Sequence, residues 1–444
     1  MSVDSKLGAG PYKATASLAP ARTRTRFMIL ALISGGTMIN YLDRSVMGIA
    51  APSISADLGL NAAMMGLVFS AFSWTYAASQ IPGGILLDRL GTKFTYWLAL
   101  TLWSVFTGLQ GLAQGLFSLL GLRLLVGAAE APCFPTNSRV VATWFPQQER
   151  ARATGIYTFA EYVGLAFLSP LLFWVLHAYG WRFLLFAVGI VGVLYGLVWW
   201  KKFHEPHESK TANRAELEYI AAGGGVIDGS QRATRFAWSQ IPALLKHRNM
   251  LGICLGQFAC NSTNVFFLTW FPTYLVAERH MPWLKVGLIA VLPFIAASVG
   301  TLFGGWLSDF LLRRGVSLNV ARKLPVITGL LTASVIVAAN YVESDALVVV
   351  ILCIAYFAQG MSALAWMIVS DIAPKGLLGL SGGLFNLFAN AAGIVTPLAI
   401  GIIVSATGSF VWALAFVSAV TVLGALCYLF LVKDIQRLPD INPV

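Results

Sequence analysis

Charge is scarce in this chain. Asp, Glu, Lys and Arg together make up 11% of its 444 residues, against roughly 25% in an ordinary soluble domain. So few charges cannot coat a water-soluble globule, and that class is excluded. Cysteines are few as well: Cys133, Cys254, Cys260, Cys353 and Cys427 lie in apolar stretches, with no CxxC pair and no metal-ligand spacing. They read as small buried hydrophobes. The five histidines are scattered over loops and span ends, so no metal centre is expected. There is no Walker sequence, no nucleophile and base pair and no cofactor motif, which excludes ATP hydrolysis as an energy source and argues against an enzyme or a bound cofactor. Residues 1–26 are polar and carry Lys6, Lys13, Arg22, Arg24 and Arg26 before any apolar run. No cleavable signal peptide is expected there.

What the chain has in abundance is apolar residues, 57% of the total. At ~20 residues per bilayer crossing, that is enough for about a dozen spans. Spanning segments are predicted at 27–50, 63–87, 95–114, 117–138, 152–176 and 181–200, then at 249–275, 284–311, 324–341, 346–370, 378–405 and 409–432. The chain therefore divides into an N-terminal tail (1–26), a six-helix bundle (27–200), a polar central stretch (201–248), a second six-helix bundle (249–432) and a C-terminal tail (433–444). Within the central stretch, Asn213-Arg-Ala-Glu-Leu-Glu-Tyr-Ile is helix-prone and Gly223-Gly224-Gly225 breaks it.

The net charge of +11 raises nucleic acid as a partner, but its distribution argues otherwise. With both termini on one side, 25 of the 30 Lys and Arg fall in the tails, the central stretch and the loops of that side. Only Arg182, Arg279 and Lys285 fall opposite, and Arg44 and Arg123 lie inside spans. By the positive-inside rule the basic side is cytoplasmic, and the partner it implies is membrane lipid, not nucleic acid. A repeat supports the division: Met65-Gly66-Leu67 is echoed by Val286-Gly287-Leu288, and Gly83-Gly84-Ile-Leu-Leu-Asp88 by Gly304-Gly305-Trp-Leu-Ser-Asp309, both 221 residues on. Two halves of the same orientation form a parallel pseudo-two-fold repeat, the kind relating the halves of a major facilitator transporter. Glycines at the spacing Gly192-x-x-x-Gly196, Gly252-x-x-x-Gly256 and Gly300-x-x-x-Gly304 read as packing faces inside one bundle, consistent with a functional monomer.

Five ionisable residues sit inside spans: Asp43, Arg44, Arg123, Glu130 and Glu161, all in the first half. An unpaired charge at mid-bilayer costs at least ~2.5 kcal/mol, so these groups must face each other or water. Arg123 and Glu130 are seven residues apart, on one helical face, which suggests them as partners and leaves Arg44 to hold a ligand carboxylate. The second half offers uncharged amides at mid-span: Gln257, Asn261, Asn264, Asn340, Gln359, Asn386 and Asn390. Arginines that bind carboxylates, facing amides that bind hydroxyls, suit a hydroxylated anion.

Gly84-Ile-Leu-Leu-Asp88-Arg89-Leu-Gly91-Thr-Lys93 has the form of the major facilitator loop signature, and its second copy keeps Asp309 but has Phe310 in the place of Arg89. Asp88 is suited to pairing with a cation of a neighbouring span and holding the cytoplasmic side shut. Longer segments resemble the anion:cation symporter family of that superfamily: Asn40-Tyr-Leu-Asp-Arg44, Phe69-Ser-Ala-Phe-Ser-Trp-Thr-Tyr76, Gln80-Ile-Pro-Gly-Gly84, Glu130-Ala-Pro-Cys-Phe-Pro135, Trp144-Phe-Pro146 and Leu268-Thr-Trp-Phe-Pro272. Glu216-Leu-Glu-Tyr-Ile220 and Gly379-Leu-Ser-Gly-Gly-Leu-Phe-Asn386 with Gly393-Ile-Val-Thr-Pro397 are similar to its bacterial sugar-acid branch, the glucarate, galactarate and galactonate permeases.

That resemblance implies an all-α membrane protein of the bacterial inner membrane, with the major facilitator fold of 12 helices, importing a sugar acid together with protons. It implies proton-linked roles for Asp43 and Glu130, and a cavity lined by Tyr41, Arg44, Tyr76, Arg123, Gln257, Trp366 and Asn386; Asn261 and Asn390 join them as mid-span amides. Glu161 departs from the branch, whose pattern has glutamine there. It is open to three roles: a third proton site, a partner for Arg44 or Arg123, or an acceptor for sugar hydroxyls. A proton- or sodium-coupled carrier of another organic anion, such as a hexuronate or an aromatic acid, and a receptor that senses the anion without moving it are the alternatives.

Overall fold

In the computed structural model, residues 22–225, 240–374 and 377–438 are described. The predicted tail residues 1–21 and 439–444, residues 226–239 of the central stretch and Lys375 lie outside them. Among the described residues every regular element is helical. In order these are α1 (Thr25–Leu58), α2 (Ala62–Leu109), α3 (Leu116–Glu130), α4 (Cys133–Trp144), α5 (Gln147–Lys202), α6 (Arg214–Ala222), α7 (Gln240–Lys246) and α8 (Arg248–Thr269), followed by the short α9 (Phe271–Thr273). Then come α10 (Trp283–Ile289), α11 (Val291–Arg313), α12 (Leu318–Ala333), α13 (Asp345–Met361), α14 (Ala365–Ile372), α15 (Leu378–Thr407) and α16 (Val411–Leu426).

Two of these helices are each a pair of rods. The chain turns at Gly91 (φ 75°) and at Gly180 (φ 79°), a backbone region that costs a residue with a Cβ. The first of these glycines belongs to the loop signature, so one function of that motif is a turn. Among the described residues, eight helical segments are long and apolar enough to cross a membrane by length and composition, with α5 counted once. The spans that fall short are α1 and the two arms of α2, interrupted by Asn40, Asp43 and Arg44 and by many Ser, Thr, Trp and Tyr. Their hydropathy is low because they carry polar interior groups.

The ends of the helices follow local chemistry. α1 continues past Pro52, beyond the apolar run at 27–50, and stops where Gly59 turns left-handed at φ 65°. Asn61 caps α2 by accepting from the Met64 amide at 2.9 Å, and Asn213 caps α6 through the Glu216 amide at 3.0 Å. The glycine pairs face other helices of the same chain: Gly192 and Gly196 meet Ser104 and Thr101, Gly252 and Gly256 meet Leu431 and Tyr428, and Gly300 and Gly304 meet Phe357 and Met361. Of the cysteines, Cys133, Cys254 and Cys260 are buried, but Cys353 and Cys427 are only half-buried. A position in an apolar span means burial in protein or contact with lipid, and sequence does not separate the two.

α6 is docked on the first half. Glu216, fully buried, accepts from the backbone amides of Thr25 (3.0 Å) and Arg26 (3.2 Å) at the start of α1, and pairs with the Arg26 guanidinium at 3.1 Å. Arg26 also reaches Glu149 at 3.1 Å, and the Tyr219 hydroxyl donates to Glu149 at 2.8 Å, a bond that raises the tyrosine's pKa.

The two halves touch at one end and part at the other. A Cβ on Gly66 of α2 would lie 2.6 Å from the Pro397 carbonyl of α15, and one on Gly393 would lie 2.4 Å from Ser73. Along the same faces, toward the end where the described chain begins and finishes, Gly84, Gly379, Gly382 and Gly383 have open space before them. α5 and the α10–α11 rod repeat this: Gly287 packs on Phe173, whereas Gly155 and Gly305 meet nothing. At the closed end the space between the halves is about 10 Å³, among Ser45, Ile49, Ser169, Phe173, Phe267 and Phe271. A water molecule needs about that volume for itself, so this cavity holds one at most. The interior is therefore reached from the end bearing the termini. At the closed end Asp57 pairs with Arg182 in the first half, which lowers the Asp57 pKa.

Candidate functional site

Arg44 is the centre of the site. Its Nε donates to Glu130 at 2.6 Å, and the guanidinium also pairs with the same carboxylate oxygen through Nη2. Glu130 is fully buried, and the Arg44 side chain keeps 17% of its exposure. Aromatic rings surround the cation: its guanidinium carbon is 5.1 Å from the Tyr41 ring centroid, 5.0 Å from Phe72 and 4.8 Å from Tyr76. Phe72 and Tyr76, one helical turn apart on α2, stack at 5.4 Å. Phe72 also lies 5.0 Å from the Arg123 guanidinium.

Arg44, and not Arg123, makes the close ion pair with Glu130, while Arg123 stays within electrostatic reach of that carboxylate. The two positions share a face of α3, but seven residues rise ~10 Å along the axis. A guanidinium from α1, which crosses at the level of Glu130, reaches the carboxylate more directly. Arg123 is buried at 3% exposure and its Nε has no hydrogen-bond partner, a costly state in a dry interior. It stands within electrostatic reach of both Glu130 and Asp43. Asp43 is also buried, and one oxygen accepts from the indole of Trp103 on the second arm of α2 at 2.7 Å, while the other has no partner. The structure thus makes two neighbouring assemblies, Arg44–Glu130 and Asp43–Trp103, with Arg123 within reach of both carboxylates.

Glu161 on α5 lies beside the Tyr41 hydroxyl and faces Arg44, with Tyr162 next to it and Tyr356 of α13 across the boundary between the halves. Among the described residues it makes no ion pair. On the other side the amides are engaged mostly with their own half. Asn261 donates to the Ala389 carbonyl at 2.5 Å, Asn390 to the Asn386 carbonyl at 2.9 Å, and Asn264 accepts from Tyr356 at 2.6 Å. Gln359 contacts the Cys260 sulfur and leaves its buried carbonyl oxygen without a partner. Gln257 is buried close to them in α8. Trp366, on α14 toward the open end, is exposed and packs edge-on against Phe385. Asn340 bonds the Val411 carbonyl beside the closed-end loop and is remote from this group.

The loop signature is also redistributed. Asp88 pairs with Arg139 of α4 at 3.0 Å, and both belong to the first half. In this open state the contact ties one bundle together rather than bridging the two. Gly83, not Gly84, makes the close approach: its Cβ would lie 3.0 Å from Pro132. Arg89 is exposed, and Lys93 stands 5.3 Å from the Trp200 ring. Asp309 is exposed and forms no ion pair among the described residues; the second half uses Arg322 instead, 3.3 Å from Asp371 and 3.1 Å from Ser308. Sequence reasoning missed Trp103 and Phe72. The signal for Phe72 was present, since Phe72 and Tyr76 stand four residues apart in a segment already singled out. Trp103 gave none, because its partner lies 60 residues away.

Two bundles meeting around buried ion pairs, open at one end, define a membrane transporter, and the chain belongs to the Major Facilitator Superfamily, whose sequence pattern matches residues 33–386. It is 44% identical over 442 residues to a probable galactarate/D-glucarate transporter, GudP, of Escherichia coli, covering 97% of this chain and 98% of that one. It is 44% identical over 418 residues to a D-galactonate transporter of another Escherichia coli strain, with 93% and 97% covered. In three dimensions it is similar to a bacterial homolog of the human lysosomal transporter Spinster in an inward-facing, unoccupied conformation, with a TM-score of 0.68, 20% identity and coverage of 92% of this chain and 95% of that one.

Proposed function

We propose that the protein is a proton-coupled symporter that imports a sugar acid across the bacterial inner membrane by alternating access, acting as a monomer. Two bundles, 27–200 and 249–432, rock about the central site, joined by residues 201–248. The Lys and Arg distribution supports a cytoplasmic position for the tails and the central stretch, so the open end of the structure is the cytoplasmic one. The relatives named for galactarate, D-glucarate and D-galactonate support a sugar acid as substrate.

The observation that carries the coupling is the Arg44–Glu130 ion pair at the floor of the opening. While Glu130 is ionised it occupies the guanidinium that a substrate carboxylate would use. Protonation of Glu130 releases Arg44, so proton and anion are taken up together and leave together. Asp43, held by Trp103 next to Arg123, is the second proton-linked carboxylate. Tyr41, Tyr76, Gln257, Asn261, Trp366, Asn386 and Asn390 line the path of the sugar chain. The test is uptake into proteoliposomes: labelled galactonate or glucarate should accumulate above its outside concentration under an inward proton gradient, with alkalinisation of the medium. Equilibration without accumulation would reject symport.

A further inference from the structure

The interior carries one carboxylate more than its cations can match. Asp43, Glu130 and Glu161 are all buried, and two guanidiniums, those of Arg44 and Arg123, stand among them. Arg44 is paired with Glu130, and Arg123 stands within reach of both Glu130 and Asp43. Asp43 and Glu161 make no ion pair among the described residues; Asp43 is held by the Trp103 indole inside the first half, and Glu161, next to a tyrosine hydroxyl, is the one that faces Tyr356 of the other half. The facing half does not compensate. Its polar groups at this level are Gln257, Asn261, Asn264, Gln359, Asn386 and Asn390, and its arginines, Arg279, Arg313, Arg314 and Arg322, stand at the ends of its helices.

A sugar acid in this space finds two unlike environments. One carboxylate can be held by a guanidinium, either Arg44 once released or the partnerless Nε of Arg123. Beyond it the chain meets tyrosine hydroxyls, amides and the Glu161 carboxylate. Hydroxyls are served well there, because amides both donate and accept and a carboxylate accepts. Both guanidiniums lie 5.0 Å from the Phe72 ring, so a carboxylate at the other end of the molecule reaches neither and meets Glu161 as a like charge, a juxtaposition that is strongly unfavourable in a partly desolvated site. Equal overall identity to relatives named for a dicarboxylic and a monocarboxylic substrate leaves the choice to this local charge.

We infer that Glu161 makes the site selective for sugar acids with a single carboxylate and rejects those with a carboxylate at each end. The inference rests on the sugar-acid reading above. Equilibrium binding to the purified full chain tests it, with galactonate and gluconate as monoacids and galactarate and glucarate as diacids. The wild-type protein should bind the monoacids at least ~10-fold more tightly. In Glu161→Gln that ratio should collapse through tighter diacid binding. Glu161→Asp, which keeps the charge, should keep the preference and shows that the position tolerates substitution. Diacids bound as tightly as monoacids by the wild-type protein, or a Glu161→Gln effect equal for both classes, would overturn the inference while leaving sugar-acid transport intact. Binding of neither class would remove the sugar-acid reading itself, and this inference with it.

Discussion

The two halves share a sequence repeat and a loop motif, yet they bury different chemistry. The first encloses Asp43, Arg44, Arg123, Glu130 and Glu161; the second presents amides and tyrosines that bond largely to their own helices. Symmetry of the scaffold therefore does not extend to the site. In the rocking motion proposed above, only one bundle needs to hold the charge, and the Arg44–Glu130 pair, formed within one half, would keep its geometry as the other half moves.

The sharpest way to break this contrast is to neutralise the charged half. Glu130→Gln keeps the shape and removes the group that competes for Arg44. Proton-driven accumulation should fall to simple equilibration, while exchange of labelled for unlabelled substrate persists. Uphill uptake at the wild-type level would remove Glu130 from the coupling. Alanine is the poorer probe, since removing one partner of a buried ion pair costs ~3–5 kcal/mol of stability.

The amide half should answer more weakly. Gln257→Ala removes neutral hydrogen bonds worth about 1 kcal/mol, so affinity for the sugar acid should fall about fivefold with proton coupling retained, as read by binding and by transport in parallel. A loss of coupling in this variant would mean that the halves are not as unlike as their charges indicate. The smallest effects belong to the two copies of the loop motif. Asp88→Asn breaks an exposed pair with Arg139 worth ~0.2–1 kcal/mol and should slow transport a few-fold. Asp309→Asn, with no ion pair to lose, should leave the rate within error.

Much of this was legible in the sequence. The apolar runs were sufficient for an all-helical membrane fold, because hydropathy is a one-dimensional property. The cost of charge inside spans pointed to Arg44 and Glu130, which the structure brings together. What was not legible was which helix faces which. Periodicity placed Arg123 and Glu130 on one face, but the cation that reaches Glu130 comes from α1, 86 residues away in the chain. The Asp88–Arg139 and Arg322–Asp371 pairs are likewise contacts between helices, invisible to spacing along one of them. The turn at Gly91 was hidden for another reason: its left-handed backbone appears in sequence only as one more glycine among 42.

The docking of Glu216 onto the first turn of α1 bears on how the protein is made. A ribosome delivers Thr25 and Arg26 long before the residue that satisfies their amides, 191 and 190 positions downstream. The first six spans can enter the membrane earlier, but the opening turn of the first span acquires its acceptor only when the connecting helix α6 has emerged. Translation thus completes the N-terminal bundle after it has begun to write the connector. A split gene should accordingly be cut after Gly225 rather than at Phe203: the longer fragment carries its own closing residue, and the shorter one leaves Arg26 without either Glu216 or its helix.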